Sequence, residues 1–158
     1  MATIKIKDKG YGQFGGFTPY GNLTALAFIL ATNAAGAVID SNSSAAIAVG
    51  DVIDLGELPQ GFRLDDAQII VSTGMTATVT GSLGFKYSDG VDDAAVPQSA
   101  TYFISGGNLA TAGRLRANGS KLVTLPKTAR LILTVAGAAN DKASDIKIIV
   151  SGERTGPR

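Results

Sequence analysis

From Met75 to Tyr87 the chain alternates between two kinds of side chain for thirteen residues. Odd positions read Met75, Ala77, Val79, Gly81, Leu83, Phe85 and Tyr87, and even positions read Thr76, Thr78, Thr80, Ser82, Gly84 and Lys86. A helix would scatter both sets around its axis, whereas a strand sends successive side chains to opposite faces. The pattern therefore predicts one long strand with a buried face and a wet face. Gly81 and Gly84 mark places for a bulge or bend within it. On that strand Thr76, Thr78 and Thr80 would form a row of hydroxyls, an ordinary wet face or a ladder able to meet ice, sugar or another sheet.

The rest of the chain carries the same signal in shorter pieces. Ile4 and Ile6 are expected to face inward between Lys5 and Lys7. Leu26, Phe28 and Leu30 alternate within a segment expected to run from Leu23 to Thr32, although its alanines leave a helical reading open. A turn at 32–36 leads to a short strand near 37–40. Val52, Ile53 and Leu55 lie in a strand ending at Pro59-Gln60-Gly61, where proline presets the φ of a turn. Phe62 to Ser72 contains Ile69-Ile70-Val71 and stops at Thr73-Gly74. Residues 88–99 read as a loop, 101–105 as a short strand broken by Gly106-Gly107-Asn108, and Asn118-Gly119 as another turn. Leu131, Leu133 and Val135 share a face, as do Ile146, Ile148 and Val150 in the last strand.

Eight to ten strands at such spacing predict an all-β fold, an antiparallel β-sandwich with a jelly-roll-like arrangement. A chain of 158 residues suffices for one such domain without staples. The expected division is an N-terminal arm over 1–22, the sandwich over 23–154 and a loose tail over 155–158.

Histidine and cysteine are both absent. Histidine-dependent nucleophile activation, thiolate chemistry and the usual zinc ligands are therefore excluded, and the expectation is a protein that is not an enzyme and needs no cofactor. Asp89, Asp92 and Asp93, and separately Asn140, Asp141 and Asp145, group oxygen ligands of the kind calcium takes. Neither group has the spacing of a dedicated calcium loop, and both read as solvated turns. Fourteen basic residues against thirteen acidic ones give a net charge of +1, which offers no field for nucleic acid. No apolar run approaches the length of a membrane span.

What remains is contact with a partner, and the N-terminal tract is the sequence's candidate for it. Tyr11, Phe14, Phe17 and Tyr20 recur at every third position among glycines and make up four of the ten aromatic residues. That period fits neither helix nor strand, but it does fit an extended path with three residues per turn. The rings can close one end of this chain's own sandwich, lie as an arm on a neighbouring subunit or shell, or stack on carbohydrate. Lys5 and Lys7, with Lys9, alternate along one side of the first strand, a pattern that also suits a solvated face. The candidate partner-binding set is Tyr11, Phe14, Phe17, Tyr20, Lys5 and Lys7.

One resemblance adds to this reading. The stretch Gly50-Asp51-Val52-Ile53-Asp54-Leu55-Gly56-Glu57-Leu58-Pro59-Gln60-Gly61-Phe62-Arg63-Leu64 resembles small virion proteins of tailed bacteriophages, in which a strand enters a Leu-Pro-x-Gly turn and a second strand follows. The continuation over 67–87 and the ending over 128–153 are similar as well, so the likeness covers roughly two thirds of the chain. The group consists of head decoration, or cement, proteins. The resemblance implies a jelly-roll body on the capsid exterior, made in the host cytoplasm, with the major capsid protein as partner. It also implies a homo-dimer or homo-trimer. The aromatic tract lies outside it. A secreted or surface-displayed β-sandwich module that binds carbohydrate or a receptor is the alternative, weakened by the absence of tryptophan.

Overall fold

A computed structural model describes residues 1–6 and 23–154, and among these every regular element is a strand. They are β1 (Thr3–Lys5), β2 (Leu23–Thr32), β3 (Val52–Leu58), β4 (Phe62–Thr73), β5 (Thr80–Tyr87), β6 (Ser99–Asn108), β7 (Gly113–Arg116), β8 (Val123–Thr124), β9 (Ala129–Ala136) and β10 (Ser144–Arg154). One sheet has the order β1-β3-β9-β5-β6 and the other β2-β10-β4-β7, with β8 also on β4. All pairings are antiparallel except that of β1 with β3.

The pairings are nested. β5 pairs with β6, β4 with β7, β3 with β9 and β2 with β10, so the chain behaves as one long hairpin rolled around a core. That connectivity is a jelly roll. The expected all-β sandwich is what forms, and β1 adds a parallel strand at one edge.

Side-chain alternation along each strand builds the core. Ile53, Leu83, Phe85, Leu131, Leu133 and Val135 from one sheet meet Phe28, Leu30, Leu64, Ile69, Ile146, Ile148 and Val150 from the other, and all are buried. Edge-to-face contacts run from Tyr87 through Phe85 and Tyr102 to Phe103, with centroids 4.8–5.8 Å apart. The segment Leu23–Thr32 is strand throughout, with Phe28 and Leu30 inward, which settles the helical alternative. At the Pro59-Gln60-Gly61 turn the Phe62 amide returns to the Pro59 carbonyl at 3.3 Å, and Gly61 takes the positive φ of 75° that the turn demands.

Three expectations are corrected. No strand forms over 37–40, where Ala37 and Val38 make only isolated bridges, to Ala46 and Thr32. The long strand does not begin at Met75: residues 75–79 fold into a turn closed by the Val79 amide on the Thr76 carbonyl, and β5 starts at Thr80. Thr78 sits there at φ 68°, so Thr76, Thr78 and Thr80 form no ladder on one face. Met75 and Val79 are nevertheless buried, while Ala77 between them is exposed, so the turn buries its two large apolar residues without keeping the strand period. Nor do Gly106 and Gly107 end β6, which runs on to Asn108 and pairs Gly107 with Gly81.

Candidate assembly surface

A network of buried polar side chains centres on Asn140. Asn140 donates through Nδ2 to Thr32 Oγ1 (3.1 Å) and to the Lys142 carbonyl (2.9 Å), while its Oδ1 accepts from the Thr76 amide (3.1 Å). Thr32 Oγ1 and Ser144 Oγ lie 2.8 Å apart in the same network. This knot ties the 75–79 turn and the 137–143 loop to β2. Its hydrogen bonds hold these loops together.

The acidic loop has the same character. Asp89 Oδ1 accepts from the Val91 amide, Asp92 Oδ1 from the Asp93 and Gln98 amides, and Asp93 Oδ1 from the Ala95 and Val96 amides, all between 2.7 and 3.0 Å. Asp89 Oδ2 takes the Lys127 ammonium at 2.7 Å, and that bond, helped by the Val91 amide, holds its carboxyl below the ordinary range. Lys127 also stands 4.6 Å from the centre of the Tyr87 ring. Burial, followed by these three aspartates, pushes the Tyr87 phenol up. No group of three or more metal-ligating side chains occurs among the described residues.

The outer face of the β2 sheet divides in two. Towards β7 it is charged and paired: Arg116 with Asp66, Arg114 with Gln68 (2.6 Å), and Arg63 with both Asp65 (2.6 Å) and Glu153 (2.5 Å). Towards β2 the outward positions are Leu23, Ala25, Ala27, Ile29 and Ala31, with Ile149 of β10 beside Ala27. Ile39, opposite Ala31, extends the row. Leu23, Ile29 and Ile39 are 76%, 46% and 47% exposed and make three of the seven exposed large apolar residues among those described, so exposed hydrophobicity there concentrates on this edge.

A second apolar corner lies at the end of β1. The buried Asp51 carboxylate accepts from the Ala2 amide through Oδ1 (2.8 Å) and from the Ala48 amide through Oδ2 (2.9 Å). It thereby fixes the strands beside Met1 and Val49, which project at 98% and 56% exposure.

Of the sequence's candidates, Lys5 lies exposed on β1, its backbone bonded on both sides to Asn42 (2.9 and 3.0 Å). Lys7, Tyr11, Phe14, Phe17 and Tyr20 lie outside the described residues. The β2 row went unremarked in the sequence although its signal was there. The run from Leu23 to Ala31 is apolar on both faces apart from Thr24, the mark of a strand covered on both sides.

No protein-family model matches the chain, and no curated protein matches it. Solved structures do. A chain in the capsid of Ralstonia phage GP4 superposes with a TM-score of 0.65 at 19% identity, over 98% of this chain and 99% of that one. A chain of the cyanophage Pam1 capsid asymmetric unit gives 0.61 at 17% identity, over 89% and 90%. The acid-stable capsid of Helicobacter pylori bacteriophage KHP30 gives 0.52 at 16%, over 84% and 90%. The likeness is one of fold.

Proposed function

We propose that the chain is a structural component of a bacteriophage capsid, and within it a decoration, or cement, protein that binds the outer shell and bridges major capsid subunits. One observation carries the reading: this jelly roll matches, along nearly its full length, chains found in three phage capsids. The Leu58-Pro59-Gln60-Gly61 turn region supports the finer assignment, and a chain without histidine or cysteine suits a role without catalysis.

The mechanism is multivalent clamping. Each body contributes modest buried area, and copies joined to one another hold shell subunits that would otherwise separate. Near-neutral charge suits a partner met through shape and apolar contact, for which Met1, Val49 and the aromatic tract with Lys5 and Lys7 are the proposed surfaces. Co-sedimentation with empty shells assembled from the major capsid protein of the phage that carries this gene tests the proposal. Saturable binding at a fixed ratio to the capsid subunit is expected. Recovery of all the protein in the supernatant at micromolar concentrations would remove the decoration role.

A further inference from the structure

Among the described residues β2 is an edge strand: β10 lies along one side, and the other side is reached only at the C-terminal end, where Thr32 bridges Val38. Ten consecutive residue pairs join the two without a register shift. Its peptide groups therefore alternate strictly between β10 and the free side. One bond fixes the phase: the Ile39 amide donates to the Ala31 carbonyl at 2.9 Å, across the edge that β10 does not occupy. Ala31 thus turns its N–H and C=O away from β10, and so do Ile29, Ala27, Ala25 and Leu23. Among the described residues, no backbone bond reaches these last four from the free side. A long, apolar, open edge of this kind is a template for another strand.

We propose that a second copy of the chain docks here, β2 against β2, antiparallel, across a molecular two-fold. The Ile39 bond closes the edge beyond Leu30. The register that engages every open position then pairs Leu23 with the partner's Ile29 and Ala25 with the partner's Ala27, each pair repeated by symmetry. Every such pair exchanges two N–H···O=C bonds. The outward row complements itself, with small alanines meeting at the centre and a leucine against an isoleucine at either end.

The flanking charges do not oppose the contact. Lys147 stands beside Ile29 and Glu153 beside Leu23 on β10. Each row across the joined sheet then runs Lys147, Ile29, the partner's Leu23, the partner's Glu153, with opposite signs at its ends and no like pair brought together. The contact is isologous, so it closes as a dimer and not as a trimer. It does not depend on the capsid reading: the dimer forms without a shell, and binding to a shell is measured separately.

Light scattering and amide hydrogen exchange on the full chain test the proposal. Wild type is expected at the mass of two chains, with exchange at Ala25, Ala27 and Ile29 slowing as concentration rises. Ala27→Pro removes an N–H that faces the free edge and none of the bonds to β10. It should halve the mass and speed exchange at Ala25 and Ile29 at least about tenfold, while Leu26 and Phe28, which face β10, stay protected. Should that variant misfold, the double substitution Ala25→Lys/Ala27→Lys sets like charges directly opposite on the outer face and should likewise halve the mass. A monomeric or trimeric wild type overturns the proposal, as does a dimer that survives both changes. Concentration-independent protection of the edge, with residues 7–22 of the same chain as its cover, overturns it too.

Discussion

Asp89 is held in place by its own loop and by a distant lysine. Its carboxylate is held by Lys127 Nζ at 2.7 Å and by the Val91 amide, and the loop 88–98 hangs on that and two neighbouring aspartates. A carboxyl held below its ordinary value of 3.8 contributes stability that is present above that value and lost as pH falls through the lower, folded one. The group is exposed, so the contribution is small. In an NMR titration Asp89 should titrate below 3.8 and return towards it in Lys127→Ala; an unchanged midpoint would dissociate the two residues. The sequence showed the aspartates and their turn character, because an aspartate followed by glycine is a local signal. It did not show Lys127, which lies 38 residues away and is brought in by the fold.

At the scale of elements, nearly every strand was legible where one face is wet, because alternation survives in the residues themselves. What was not legible is what the strands do to each other. Between Phe85 and Leu83 on β5, the partner strand β6 advances from Ser99 to Ile104, so several residues of β6 bulge over the wet side of β5. Gly84 lies beneath the bulge: a Cβ there would stand 2.0 Å from the Ser99 carbonyl oxygen and 2.4 Å from the Ala100 carbonyl carbon, both backbone. The sequence marked Gly84 as a place for irregularity without saying which strand would press on it. Gly84→Ala should therefore cost about 1–3 kcal/mol, read as a lower urea midpoint at unchanged slope. Gly113→Ala on β7, where nothing lies within 4 Å and φ is ordinary, is the control and should change little. Equal midpoints for the two variants would mean that β6 yields freely. The 75–79 turn teaches the same lesson, since Thr76 is drawn away from any strand by Asn140 and Asp141, 64 and 65 residues distant.

For the whole molecule, the sandwich and its jelly-roll winding followed from strand count, spacing and the absence of helical pattern, and the match to chains of phage capsids agrees with that shape. The tract that the sequence proposes for contact lies outside the described residues. The sequence pointed to the aromatic tract, whereas the described residues concentrate exposed apolar side chains along β2 and at the Met1–Val49 corner. A free edge cannot be seen in a sequence, because it depends on which strand lies outermost. The proposed function is that this jelly roll reinforces a shell. The most direct measurement is the rupture temperature of purified empty shells with and without saturating amounts of the protein. The account predicts a rise of several degrees that saturates with occupancy; bound protein that leaves the rupture temperature unchanged would contradict it.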